Sequence, residues 1–244
     1  MAQAARRHDG RGAGELRPVK LTASFVRAAD GSCLMEQGGT RVICTASIVA
    51  GVPRWRQESG LGWVTAEYAM LPASTAQRRP RPEGRPDGRS VEIQRLIGRV
   101  LRNVVRFDRL GAHTIYLDCD VLEADGGTRT AAITGAWVAL AQAAAKGERD
   151  GRFAAGALRG AVAGVSVGLV GGRVLLDLDY AEDSAAEVDV NVAMTSSGRY
   201  VEVQASGEGR PFDGRQLEAM LRLARRGIRA LLVKQRRAAG RKRT

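Results

Sequence analysis

Hydrophobic and polar positions alternate along much of this chain in short runs, separated by segments whose apolar residues recur every three or four positions. Val19 to Val26 half alternate, and Asp30-Gly31 makes a turn. Cys33 to Glu36 and Arg41 to Ile48 flank Gln37-Gly38-Gly39-Thr40, which predicts a hairpin. Trp63 to Met70 predicts a further strand that Leu71-Pro72 ends. Residues 73–88, ASTAQRRPRPEGRPDG, have no periodicity and read as a loop. In SVEIQRLIGRVLRNVVRF, by contrast, Ile93, Leu96, Ile97, Val100, Leu101, Val104 and Val105 follow the helical repeat of an amphipathic helix. His113 to Val121 alternates again, and Thr128 to Ala145 predicts an alanine-rich helix.

The second half repeats the theme. Strands are expected over 160–170, 173–180, 187–195 and 199–205, and a helix from near Asp213-Gly214 carries Leu217, Met220, Leu221, Leu223 and Ala224 largely on one face. Grouped strands followed by helices, twice over, predict an α+β fold with mixed sheets covered by helices, not a regular βαβ alternation. The pattern divides the chain into a flexible N-terminus over 1–15, a single domain over 16–235 with halves at about 16–148 and 157–235, and a basic tail over 236–244.

Composition narrows the chemistry. With 244 residues, 44% hydrophobic and 26% charged, the chain is long enough to bury about three-quarters of its surface as a globular protein. No run approaches the roughly 18 apolar residues of a membrane span, and MAQAARRHDGRGAG lacks the apolar centre of a secretory signal, so an intracellular, cytoplasmic protein without a membrane partner is expected. Cys33, Cys44 and Cys119 are too few and scattered for a disulfide framework or a zinc site, and each falls in a strand-like pattern as a small buried residue. His8 and His113 are the only histidines, which argues against hydrolases built on a histidine base. A net charge of +12 favours anionic partners, nucleic acid first.

Three constellations carry candidate chemistry. In LEADGGTRTAAITGA, Gly126-Gly127-Thr128-Arg129 precedes a helix whose first N–H groups and dipole form an anion site, with Thr128, Thr130 and Arg129 as further donors; an ordinary capped helix is the plainer alternative. The spacing fits neither a dinucleotide fingerprint nor a P-loop. In DLDYAEDSAAEVDVNVAM, Asp177, Asp179, Glu182, Asp183, Glu187 and Asp189 gather six carboxylates. Asp189 shares a strand face with Glu187 and Asn191, and a turn through Ser184-Ala185-Ala186 folds Asp183 back beside it, either as a site for Mg²⁺ or as a solvated hairpin. Arg78, Arg79, Arg81 and Arg85 make the proline-rich loop basic, Arg89 opens the amphipathic helix, and Arg236, Arg237, Arg241, Lys242 and Arg243 form the tail. An anion site, a metal site and a basic track without catalytic histidine suit phosphoryl or nucleotidyl transfer.

At these residues the chain resembles the ribonuclease PH family of phosphorolytic exoribonucleases. The resemblance is carried by LRPVKLT, VICTASIVAGVPRW, GLGWVTAEYAMLP, VEIQRLIGR, LDCDVLEADGGTRTAAITGA, DLDYAEDSAAEVDVN and VEVQASGEG, in order from about Leu16 to Val233. It implies a duplicated β–α fold and a tRNA nucleotidyltransferase that trims the 3′ ends of tRNA precursors and other RNA with inorganic phosphate, reversibly, releasing nucleoside 5′-diphosphates. It implies phosphate binding by Arg89, Gly127, Thr128 and Arg129, catalytic roles for Asp183 and Asp189 with Mg²⁺ on the same carboxylates, and a homo-hexamer built as a trimer of dimers. Ala73 stands where the family usually has an arginine and Asp87 where it usually has a glycine; Arg78, Arg79 and Arg81 are then the expected RNA contacts. The alternative is a catalytically inactive RNA-binding ring subunit of an exosome-like assembly.

Overall fold

The structure is a computed structural model that describes residues 7–81, 84 and 87–240. The first half holds β1 (Val19–Ala23), β2 (Gly31–Gln37), β3 (Thr40–Ala50), β4 (Trp63–Met70), α1 (Gly88–Arg102), α2 (Phe107–Leu110), β5 (His113–Glu123) and α3 (Thr128–Arg149). The second holds β6 (Val162–Val170), β7 (Arg173–Leu176), α4 (Tyr180–Ser184), β8 (Val188–Thr195), β9 (Tyr200–Gly207) and α5 (Gly214–Ala238).

The five strands of the first half form one sheet in the order β1-β2-β3-β5-β4, antiparallel except for the parallel pair β4–β5. The β2–β3 hairpin closes between Gln37 and Thr40, with Gly38 at φ 59° supplying the left-handed turn position. The second sheet, β7-β6-β8-β9, is antiparallel throughout, so the expectation of mixed sheets holds only for the first.

Between the two sheets runs α3, packed on β2 and β3 from one side and on β6 and α5 from the other. A helix covered on nearly all sides has no room for a large polar face, which accounts for its alanines. At Gly135 an added Cβ would lie 2.8 Å from Cys44 Sγ and 2.9 Å from Met35 Cβ, so the helix sits directly on the hairpin. Cys33, Cys44 and Cys119 are buried free thiols, as the strand pattern predicts.

Four expectations are corrected. The predicted strand over 173–180 stops at Leu176, because Asp177 adopts φ 56° and Asp179 then caps α4 in a reciprocal box with Glu182. The amphipathic helix ends at Arg102, short of Phe107, with Asn103 as its cap. Residues 7–15, set aside as flexible, run along the second half with Arg7 and Arg11 buried among carboxylates. Arg236 and Arg237, assigned to a basic tail, form the last turn of α5, where cations offset the helix dipole. That turn is fixed from within: buried Gln235 donates through Nε2 to the carbonyls of Thr134 (2.8 Å) and Val162 (3.0 Å). The remaining tail residues 241–244 and Arg85 lie outside the described residues.

Candidate active site between the two halves

The strand β5 delivers the chain to Asp125, and two successive left-handed glycines, Gly126 (φ 72°) and Gly127 (φ 66°), turn it into α3. Gly127 is the N-cap and offers no side chain, so no side chain of the cap residue satisfies the first N–H groups of this 22-residue helix. They are available to an anion, with the positive end of the helix dipole behind them. Thr130 contributes no donor, since its hydroxyl turns back to the Gly127 carbonyl at 2.9 Å. Thr128 does: buried Tyr68 donates its hydroxyl to Thr128 Oγ1 at 2.9 Å, which leaves the Thr128 hydrogen free to point elsewhere.

Arg129, the next residue of α3, is held from two other elements. Its Nη1 donates to Gln204 Oε1 of β9 at 2.9 Å and lies 3.5 Å from Glu92 Oε1 of α1, while Gln204 Nε2 donates to the same Glu92 oxygen at 3.0 Å. Arg89 enters from the first turn of α1, where the Asp87 carboxylate caps the helix by accepting from the Ser90 backbone N–H at 2.8 Å. Asp87, which stands where the resemblance implies a glycine, is therefore the cap that starts the Arg89 helix.

The acidic stretch separates into two groups with different chemistry. Asp177, Asp179 and Glu182 face the N-terminal segment. Arg7 pairs with Glu182 and donates to the carbonyls of Leu176 (2.6 Å) and Asp177 (2.9 Å), Arg11 donates to the Asp177 carbonyl (2.9 Å), and His8 Nε2 lies 2.8 Å from Asp179. His8, Asp179 and Glu182 bring ligand atoms within 4.8 Å of one another, but arginines already neutralise these carboxylates. Arg17 holds Asp177 and also donates to the carbonyls of Asp125 and Gly126 (3.4 Å to the latter), so one guanidinium ties the acidic stretch to the glycine loop.

Asp183 and Asp189 form the second group and point to the other side. The pleat of β8 buries Val188, Val190 and Val192 and leaves Asp189 and Asn191 on the opposite face, as alternation predicts. Burial pushes the Asp189 carboxyl up to about 6, reinforced by repulsion from Asp183 and opposed by Arg129 and by the hydrogen bond from Asn191 Nδ2 (3.0 Å). Its other oxygen, Oδ1, is buried without a partner. Burial raises the Asp183 carboxyl as well, against the attraction of Arg129, Arg89 and Arg17.

Asp183, Asp189 and Asn191 meet the glycine loop, Thr128, Arg129 and Arg89 in one cavity of about 730 Å³. Arg78, Arg79, Arg89, Gly127, Thr128, Arg129, Asp183 and Asp189, each singled out in the sequence, line it together. Arg81 does not; it is exposed on the loop beyond. Arg79 is fixed by its backbone N–H to the Pro72 carbonyl (2.9 Å) and faces the Asp87 cap at 3.9 Å. Four arginines against three carboxylates, Asp125, Asp183 and Asp189, leave the cavity positive, the balance needed to hold a phosphate beside a phosphodiester. Sequence reasoning missed Arg7, Arg11, Arg17, Glu92, Gln204 and Tyr180. Asp179-x-x-Glu182 does carry a capping-box signal, but nothing local marks the arginines that reach across more than 150 positions.

Residues 15–146 match the model of the 3′ exoribonuclease family, domain 1, and residues 160–227 match domain 2. The chain is 52% identical over 236 residues to ribonuclease PH of Bifidobacterium longum (strain NCC 2705), covering 95% of each. Its fold is similar to that of rice (Oryza sativa) Rrp46, with TM-score 0.80 and 17% identity over 96% of this chain and 100% of that one. It is also similar to a chain of the Archaeoglobus fulgidus exosome with RNA bound to the active site, with TM-score 0.79 and 24% identity over 94% and 92%. At such identities the two structures speak for the fold, and the two-part family match with the full-length relative speaks for more: the chain belongs to the ribonuclease PH family of 3′ exoribonucleases.

Proposed function

We propose that the cavity between the halves is the active site of a phosphate-dependent 3′-to-5′ exoribonuclease that trims tRNA precursors and runs reversibly as a tRNA nucleotidyltransferase. The observation that carries this reading is the convergence of Arg89, Arg129 and the open mouth of α3 with the Asp183–Asp189 pair in one cavity. Inorganic phosphate seated on Gly127, Thr128, Arg129 and Arg89 is held for in-line attack on the last phosphodiester, with the guanidinium groups offsetting repulsion between the two anions. A phosphate oxygen bonds to the terminal phosphorus as its bond to the 3′ oxygen breaks. The products are a nucleoside 5′-diphosphate and RNA one nucleotide shorter. The leaving 3′ oxygen takes a proton, and Asp189, raised to about 6, is the carboxyl placed to carry it.

The carboxylate pair also fits a divalent cation. Two crowded carboxylates, both raised, and the unpartnered Asp189 Oδ1 are the donor set that Mg²⁺ uses when water and phosphate complete its shell. Asp183 and Asp189 are the residues that would hold it, and the ion supplies charge neutralisation at the phosphoryl and leaving oxygens. A hexameric ring in the cytoplasm, with Arg78 and Arg79 on the RNA backbone, completes the reading.

The test is incubation of the protein with Mg²⁺ and a tRNA bearing a short 3′ extension, with and without phosphate. Diphosphates released only with phosphate, and lost in Arg129→Ala, are expected. Monophosphates released without phosphate overturn the mechanism, and bound RNA with no release identifies an inactive ring subunit instead.

A further inference from the structure

The cavity has a single aromatic residue on its walls, Tyr180, and that residue is out of place by the usual rules for tyrosine. Tyr180 is 66% exposed, although it sits at the first position of α4, three residues before Asp183. Its backbone N–H donates to Asp125 Oδ1 at 3.3 Å, which fixes the residue beside the glycine loop. Its ring makes no aromatic or cation–π contact and its hydroxyl no hydrogen bond among the described residues. The spacing of three along α4 places Tyr180 and Asp183 on one helix face. An anchored backbone thus presents a solvated ring at the lip of a site otherwise lined by charged, polar, small or aliphatic residues.

An exonuclease that removes any of four nucleotides must grip the RNA end without reading base edges. The arginines hold phosphates, but they do not orient a base. A π-face does so for every base, because each nucleobase stacks on an aromatic ring whatever its hydrogen-bonding edge. Resting on the exoribonuclease reading above, we propose that Tyr180 is the stacking platform for a base at the RNA 3′ end. In this role it sets the terminal nucleotide against Asp183 and Asp189 and accepts all four bases.

Short single-stranded oligoribonucleotides binding to the protein without phosphate, where no phosphorolysis runs, test this directly. Tyr180→Ala is expected to weaken binding about tenfold, Tyr180→Phe and Tyr180→Trp to retain it, and the KM for phosphate to stay within about twofold in all three. An oligonucleotide with abasic 3′ positions is expected to bind wild type and Tyr180→Ala equally. Unchanged binding in Tyr180→Ala, a Phe variant as weak as Ala, or a difference that survives on the abasic oligonucleotide overturns the proposal. Because Tyr180 lies at the surface, these variants are expected to melt with wild type. The parent reading is judged separately, by phosphate-dependent diphosphate release from wild-type protein, so either can fail alone.

Discussion

Arg17 grips Asp177 with both its side chain and its own backbone: Nη2 lies 2.7 Å and Nε 3.1 Å from Asp177 Oδ1, and the Arg17 N–H donates to Oδ2 at 2.8 Å. Asp177 is 1% exposed and sits at φ 56°, a conformation that a non-glycine residue holds only when its surroundings enforce it. The first half of the chain thereby fixes the point at which the second half turns toward Asp183.

Removing one partner of this buried pair strands the other. Arg17→Ala leaves the Asp177 carboxylate buried without its main counter-charge, at a cost of about 3–5 kcal/mol. For a chain of this size that corresponds to a melting temperature roughly 10 °C lower. Thermal unfolding followed by circular dichroism checks it, and a fall of only a degree or two would show that Arg7 and Arg11 compensate.

Arg129 shares its Nη1 between Gln204 and Glu92. Gln204→Ala removes the neutral tether and leaves the guanidinium to the carboxylates alone, so it points less often at phosphate. The expected result is a KM for phosphate several-fold higher with the KM for RNA unchanged, measured by phosphate saturation at fixed RNA. An equal rise in both constants would mean that β9 itself had shifted.

Asp189 makes the metal-free protein less stable as pH rises. Its folded value of about 6 lies above the ordinary carboxylate value of about 3.9, so the folded state binds more protons between the two. The stabilising contribution is full below about pH 4 and is lost as pH climbs through 6. Asp183, also raised, adds to the same trend. In Asp189→Asn the decline of melting temperature over this window is expected to flatten, and an unaltered profile would count against the assignment.

The loop arginines differ in position, which is expected to separate them in function. Arg78 and Arg79 line the cavity and Arg81 does not. Arg78→Ala and Arg79→Ala are each expected to weaken RNA binding a few-fold and to reduce the slope of log affinity against log salt by about 0.7, the value for one contact to single-stranded nucleic acid. Arg81→Ala is expected to leave both quantities near wild type. Filter binding across a salt series distinguishes the three.

What could be read from the sequence follows from the range of the interactions involved. The β2–β3 hairpin and the limits of β4 were legible because alternation and turn residues act over a few positions. So were Gly127, Thr128 and Arg129, where the loop and the helix mouth are contiguous. Helix α4 was missed in the gap between the strands expected over 173–180 and 187–195, because five residues give no period to detect and only the Asp179–Glu182 box marks it. The N-terminal arginines were invisible for a different reason. Arg7 and Glu182 stand 175 positions apart, and each reads as one more surface charge until the fold brings them together.

The two bonds from Gln235 have a consequence for the order in which this protein comes into being. They close α5 onto α3 and β6 with a side chain that is 0% exposed, reaching back 101 and 73 positions. A nascent chain that has not yet made Gln235 leaves the Thr134 and Val162 carbonyls without these donors and the inner face of α3 open. An RNA-degrading enzyme arranged in this way closes the inner face of α3 only once the chain has been made past residue 235.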